Sequence, residues 1–406
     1  MTTSVVLIDQ ASYGNQHNQM YVFLKLFFNL NQTKYFYFFS DGRLSKIYSR
    51  NKDISFKGAE TILFDQDGEM YAMTEHSDLI HVTNISPLEK NKKKKKKKDY
   101  DEEDESGNIF VSDTQIIAKL GMGNPLGGKF DYNKEKKTLY FADSVMGLCR
   151  IHISDDNPKV ELVATHNQKD GSPLTFVDDV DIGRKTGHIY FSSATEIPTI
   201  RLEGTKWAPM YVSQLDFSRG KKTGKLLRYN PDTDEVDVLI DNLWFANGVA
   251  VDVDENYVIV SETFGARAWK YHLTGAKKGT SEIFVDKLTG FVDGADCSHS
   301  TRMCYVALPG AKPAILSLIY SIPFPFAEAM VRTFLLLLPP WIFPKPTKYG
   351  AIVEIDPSIE NLEHRKVRTI QDPEGKDIHM ITGVTEHKGK LYLGSIANNF
   401  IGVYDL

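Results

Sequence analysis

The sequence contains few cysteines, and their spacing is not that of a metal site. Cys149, Cys297 and Cys304 are the three cysteines in 406 residues, and no Cys-x-x-Cys pair occurs. A disulfide-rich scaffold and a cysteine-ligated zinc site are therefore excluded. At most one intramolecular disulfide can form, so the cysteine count leaves the cellular compartment open.

An excess of basic residues is also missing. The net charge is −5, whereas a nucleic-acid-binding surface needs positive charge, so no nucleic-acid partner is expected. The one basic run is seven lysines at 92–98, and it is followed directly by an acidic run at 99–105. Such low-complexity charge is typical of a solvated loop, which we place at 91–105.

No uninterrupted apolar stretch is long enough to cross a bilayer. Residues 20–30 are apolar but too short, and no basic segment precedes them, so residues 1–39 are either a signal or anchor or an ordinary extension. Four prolines interrupt a second apolar segment at 314–343. This insertion is either a lid or membrane-surface contact, or a segment packed on the protein's own surface.

The cellular location follows only indirectly from these features. Sequons at Asn31 and Asn84 permit glycosylation, although such tripeptides also occur by chance. We expect the secretory pathway or a membrane-associated location, with the cytoplasm as the alternative.

A repeat of an apolar strand, a polar turn and a second strand organises the rest of the chain. Each copy alternates apolar and polar residues around a turn, which predicts a β-hairpin. Further strand pairs follow several copies, so we predict an all-β fold: one six-bladed β-propeller of four-stranded blades, covering 40–406. The six copies are 62–73, 129–143, 180–192, 249–262, 295–307 and 384–395.

Four of the copies carry an oxygen-bearing side chain at one shared place. Glu60, Asp178, Asn247 and Asp293 each lie two residues before the first strand and 11 or 12 residues before the matching residue of the second strand. First strands line the channel of a propeller, so these side chains should converge on its axis. Three converging carboxylates repel one another unless a cation holds them, and oxygen ligands of high charge suit calcium. Turn capping by Asp and Asn would explain the same residues without a metal.

Several motifs resemble signatures of the strictosidine-synthase-like propellers, with the adipocyte plasma-membrane-associated protein group as the nearest type. The resemblance runs in order over about residues 40–406. The segments that carry it are NPLGGKFD (124–131), TFVDDVDI (175–182), FANGVAVD (245–252), GFVDGA (290–295) and VTEHKGKLYLGSI (384–396).

The resemblance implies a ligand set. Calcium-dependent relatives hold the metal with a glutamate, two asparagines and an aspartate, which correspond to Glu60, Asp178, Asn247 and Asp293. Asp178 replaces the usual asparagine and adds a negative charge. Gly294 replaces the asparagine of the Asp-Asn pair, so one ligand or substrate contact is lost.

The resemblance also implies a reaction class. Strictosidine synthase uses a catalytic glutamate near its last blade, and that position corresponds to Thr382, which supplies no carboxylate base for a Pictet–Spengler condensation. We therefore expect a calcium-dependent hydrolase of a small ester or lactone, with Asp293 as nucleophile or general base. Asp293 as a simple ligand is the alternative role. A non-catalytic binding module with a structural calcium is the alternative function.

Overall fold

The computed structural model describes residues 34–88, 108–132, 135–167, 169, 171–202, 206–312, 329–331, 333–334 and 348–406. Residues 1–33, the charged 91–105 stretch and nearly all of the apolar 314–343 segment lie outside the described residues. Among the described residues, no helix combines the length and the apolar character needed to span a membrane.

Alternating strand sequences fold into six blades of four antiparallel strands around one channel, which confirms the six-bladed propeller. Strands β1 (Lys34–Phe38) and β2 (Leu44–Ser49) come first. Blade 1 contains β3 (Thr61–Phe64), β4 (Met70–Met73), β5 (Asp78–Pro87) and β6 (Asn108–Lys119). Blade 2 contains β7 (Pro125–Asp131), β8 (Thr138–Asp143), β9 (Gly147–His152) and β10 (Val160–Ala164).

Blade 3 carries the one long helix of the described residues. Its strands are β11 (Val177–Ile182) and β12 (Ile189–Ser193), then the short pair β13 (Arg201–Leu202) and β14 (Lys206–Trp207). Helix α1 (Pro209–Arg219) follows, before β15 (Gly224–Asn230) and β16 (Glu235–Leu243). Blade 4 contains β17 (Ala246–Val251), β18 (Tyr257–Glu262), β19 (Arg267–His272) and β20 (Ser281–Val285).

Blades 5 and 6 complete the ring. Blade 5 begins with the short β21 (Gly290–Phe291) and continues with β22 (Ala295–Cys297) and β23 (Cys304–Leu308). It then has β24 (Gly310–Ala311), which pairs with β21, and β25 (Gly350–Ile355) and β26 (Val367–Asp372). Blade 6 contains β27 (Ile381–His387), β28 (Lys390–Ser395) and β29 (Ile401–Asp405). The innermost strand of each blade is β3, β7, β11, β17, β22 or β27.

Strands from the two ends of the chain join the ring. Strand β2 pairs antiparallel with β29 and becomes the outermost strand of blade 6. It also pairs in parallel with β6, so blades 6 and 1 form one continuous sheet. Strand β1 pairs in parallel with β26 of blade 5. These pairings cover strand edges that would otherwise be open to another chain.

A buried ion triad joins three blades across the channel. The Lys129 Nζ of β7 lies 3.0 Å from Asp296 Oδ1 of β22 and 3.3 Å from Asp181 Oδ1 of β11. Burial lowers the pKa of Lys129, but the charges of the two carboxylates outweigh burial and hold that pKa above its ordinary value. Each carboxylate also accepts a hydrogen bond from a backbone N–H of the next inner strand: Asp181 from Val251, and Asp296 from Glu386. The triad therefore ties the inner strands together.

Blade 5 contains the one disulfide of the described residues. Cys297 and Cys304 are direct partners in the antiparallel register of β22 and β23, and their side chains are bonded. Cys149 is a buried free thiol. The pairing agrees with the limit of one disulfide set by the sequence.

Close contact between inner strands predicts a stability difference between two glycines. A methyl group at Gly383 would lie 2.1 Å from the carbonyl oxygen of Glu60, whereas at Gly310 its nearest neighbour would be 3.9 Å away. We expect Gly383→Ala to lower the free energy of unfolding by about 1–3 kcal/mol through overpacking. The matched Gly310→Ala should change it by less than about 0.5 kcal/mol. Denaturant titration measures both, and equal stability of the two variants would contradict this packing.

Candidate metal centre

The structure brings the four sequence-predicted site residues to one cavity. Glu60, Asp178, Asn247 and Asp293, here called the rim residues, lie at the starts of the inner strands of blades 1, 3, 4 and 5. They line the mouth of the central channel, which encloses about 670 Å³, part of it open to solvent. Asp178 and Asn247 are buried, while Glu60 and Asp293 are partly accessible.

β-Bulges place the rim side chains in the channel. In β11, Asp178 and Asp179 together oppose a single residue of β12, and in β17 Asn247 and Gly248 oppose a single residue of β18. A bulge leaves the extra residue unpaired and redirects its side chain. In blade 5, Ala307 accepts a hydrogen bond from the Asp293 N–H and donates one to the Gly294 carbonyl, which is the same two-against-one arrangement.

Glycines at the second bulge position allow adjacent blades to approach closely. A Cβ atom at Gly127 would lie 2.0 Å from the Asp179 carboxylate, and one at Gly294 would lie 2.5 Å from the Thr382 carbonyl. Gly294 is therefore needed for packing against blade 6. The same close approach brings the rim residues of neighbouring blades together.

The three rim carboxylates destabilise one another's charged forms. Burial, with the charge of Asp179, raises the pKa of Glu60 to about 7. Burial raises the pKa of Asp178 well above its ordinary value, and the charges of Asp293 and Glu60 raise it further. The pKa of Asp293 is also well above its ordinary value through burial and the Glu60 charge, against which a hydrogen bond from Asn247 acts. At neutral pH the cavity therefore favours uptake of protons or of a cation.

Asp179 is a site residue that the sequence reasoning missed. Its carboxylate lines the cavity and accepts hydrogen bonds from the backbone N–H groups of Val249 (2.9 Å) and Val180 (2.8 Å). Burial raises the pKa of Asp179 to about 7, although these hydrogen bonds oppose the shift. The Asp-Asp pair in TFVDDVDI was the available signal, but only its first member stands at the repeated position.

Thr382 lines the same cavity from blade 6. Its side chain is buried, and its hydroxyl oxygen has no hydrogen-bond partner among the described residues. The residue is thus placed where it could contact a ligand, but it supplies no carboxylate.

The donor set fits a hard divalent cation. Asp179, the three rim carboxylates and one amide line the cavity. Lys129, the one cationic side chain among the described lining residues, is already paired with Asp181 and Asp296. Among the described residues, no three acidic, histidine or cysteine side chains are already gathered at metal-binding spacing. Oxygen ligands from separate blades suit the flexible coordination of calcium.

Known proteins with similar sequences fall into one family. Residues 178–276 match the family described as strictosidine synthase. Strictosidine synthase-like protein 3 of Arabidopsis thaliana is 30% identical over 294 residues, which cover 70% of this chain and 67% of that protein. The adipocyte plasma membrane-associated protein of Rattus norvegicus is 30% identical over 280 residues, which cover 69% of each chain.

Solved structures share the fold at low identity. A gluconolactonase from Xanthomonas campestris superposes with a TM-score of 0.52 at 11% identity, covering 87% of this chain and 88% of that one. A luciferin-regenerating enzyme gives a TM-score of 0.50 at 10% identity, covering 89% and 95%. Both likenesses concern the fold alone.

The raised pKa values predict a pH dependence of stability in chelator. The folded chain binds protons at Glu60 more tightly than the unfolded chain, whose carboxyl groups titrate near pH 4. This contribution to stability is complete below pH ~4 and is lost as pH rises to about 7. Between pH 5 and 8, we expect the Tm of the wild type to fall by roughly 2–4 °C more than that of Glu60→Gln. Parallel Tm profiles in thermal denaturation would contradict the shift.

Proposed function

Because the chain belongs to the strictosidine synthase-like family, we propose that it is a calcium-dependent hydrolase of small esters or lactones. One observation carries the proposal: Asp179 and the rim residues bring four carboxylates and an amide from four blades to one cavity. Among the described lining residues the one basic side chain, Lys129, is already paired with two other carboxylates. The gluconolactonase that shares the fold acts, by its name, on a lactone, and this supports the substrate class.

In the proposed site, Glu60, Asp178, Asn247 and Asp293 hold the cation. A bound calcium ion would supply electrostatic stabilisation for the oxyanion that forms during acyl transfer. The chain's own residues supply the rest. Asn247 hydrogen-bonds Asp293 and fixes the orientation of its carboxylate.

Asp293 is the candidate general base. It is partly accessible from the cavity, and none of the described lining residues is a serine, cysteine or histidine that would give an alternative nucleophile or base. In the proposed step, Asp293 takes a proton from water, whose oxygen bonds to the acyl carbon. The bond from that carbon to the alkoxy oxygen then breaks as this oxygen takes up the proton held by Asp293, which returns to its carboxylate form.

We further propose a membrane-associated or secretory location. The rat relative is named a plasma membrane-associated protein, and the Cys297–Cys304 disulfide is of the kind that persists in oxidising compartments. Asn84 of the Asn-Ile-Ser sequon is exposed on β5, so it is accessible for a glycan. The apolar segment 314–343, nearly all of which lies outside the described residues, is the proposed membrane-surface contact.

Hydrolysis should depend on both the cation and Asp293. In a screen of aryl esters and lactones, we expect turnover that chelator abolishes and calcium restores, and a loss of about 100-fold or more in kcat/KM for Asp293→Ala. Asp241→Ala, which changes an exposed carboxylate of β16, is the matched control and should retain activity. If chelation lowers the Tm but no compound is hydrolysed, the alternative of a binding module with a structural calcium is supported and the hydrolase proposal fails.

Condensation activity should be absent. With tryptamine and secologanin, we expect no strictosidine from the wild type, because Thr382 offers no base at the channel. We also expect Thr382→Glu alone to give none. Product analysis by mass spectrometry decides both points, and strictosidine formed by the wild type would overturn this part of the account.

A further inference from the structure

A row of phenylalanine rings connects the segments that lead into the rim residues of blades 3, 4 and 5. Phe176, Phe245 and Phe291 each stand two residues before the rim residue of their blade. Ring centroids are 5.3 Å apart for Phe176 and Phe245, 5.4 Å for Phe245 and Phe264, and 5.9 Å for Phe264 and Phe291. These separations lie in the attractive range for aromatic pairs, so the rings connect three blades at the mouth.

Phe264 is the ring that contacts most of its neighbours in this row. It lies in the turn between β18 and β19 and is only 7% exposed. Besides the two rings named above, it contacts Phe217 of α1 at 5.1 Å and Trp244 at 5.6 Å. Its removal would therefore break the ring contacts that link Phe245 of blade 4 to Phe291 of blade 5, while Phe217 and Trp244 would stay stacked at 5.8 Å.

The backbone at two of these phenylalanines is strained. Phe176 has φ 47° and Phe245 has φ 64°, a left-handed conformation that is unfavourable for a bulky residue. Such strain persists only where the surroundings hold it, and it concentrates at functional sites. Both rings are buried in the same apolar cluster as Phe264, so the packing holds the left-handed turns in place.

The same left-handed turn recurs at the equivalent place in two other blades. Gly58 (φ 66°) stands two residues before Glu60, and Met380 (φ 52°) stands two residues before Thr382. Glycine adopts this conformation without strain, so blade 1 needs no ring to hold it. The turn directs the chain into the rim position, and the phenylalanines stabilise it in blades 3 and 4.

We propose that Phe264 is a positioning residue for cation binding, acting through Phe245 and Phe291 on the two rim residues that follow them. The inference rests on the proposed function, since it requires that the rim residues bind a cation. Phe264 itself does not line the cavity. Its effect on the site passes through the left-handed backbone of Phe245 in blade 4 and through the packing of Phe291, which lies in β21, in blade 5.

The calcium affinity of variants distinguishes a positioning role of Phe264 from a role in core packing alone. We expect Phe264→Leu to weaken calcium binding by about tenfold or more, as supporting residues around metal sites do. Phe284→Leu is the matched control, because Phe284 is a fully buried ring of β20 outside the cavity. It should lower the Tm at least as much while its calcium affinity stays within twofold of the wild type. Phe264→Tyr, which keeps the ring, should restore binding.

Isothermal titration with calcium chloride on each folded variant, with Tm measured alongside, decides between the outcomes. Wild-type binding with equal affinities for Phe264→Leu and Phe284→Leu would overturn the inference and leave the proposed function standing. No calcium binding by the wild type would overturn both. If Phe264→Leu does not fold, Phe291→Leu takes its place, because Phe291 is the partly exposed last ring of the row. We then expect a smaller loss of calcium affinity.

Discussion

The carboxyl groups of Glu60, Asp178 and Asp293 crowd the mouth of one channel, and the surrounding blades hold them there. Burial raises the pKa of all three carboxyl groups, and neighbouring carboxylates raise it further, Asp179 in the case of Glu60. The folded chain therefore gains from bound protons or a bound cation. Removing one carboxylate from such a cluster would change the net charge of the cavity strongly, and with it the affinity for protons or a cation. The fold must therefore hold the three groups together against their repulsion.

The closed ring of blades holds the three carboxyl groups together. Bulges at the starts of the inner strands turn the rim side chains inward, and glycines such as Gly127 and Gly294 leave the space that the next blade fills. Deeper in the channel, Lys129 forms ion pairs with Asp181 and Asp296, which accept hydrogen bonds from the backbone of neighbouring blades. Ring closure by β2 and β29 fixes the circumference, so no blade can move outward to relieve the repulsion.

The repeat made the four rim residues predictable because strand alternation, turns and offsets are local properties of the sequence. Asp179 was not predicted, because it stands one residue away from the repeated position that Asp178 occupies. The triad of Lys129, Asp181 and Asp296 was not predicted, although each member lies opposite the tyrosine of its own hairpin. The sequence does not show that these three repeats, and not others, place their side chains in contact across the channel. The pairing of β2 with β29 joins opposite ends of the chain and likewise has no local signal.

Isothermal titration with calcium is the most direct test of a cation site shared by four blades. We expect the wild type to bind one calcium ion per chain. Calcium binding should be weaker in both Glu60→Ala and Asp293→Ala, although these two residues come from different blades. Asp241→Ala should bind as the wild type does. Calcium affinity that is unchanged in Glu60→Ala, or the absence of binding by the wild type, would contradict the central claim.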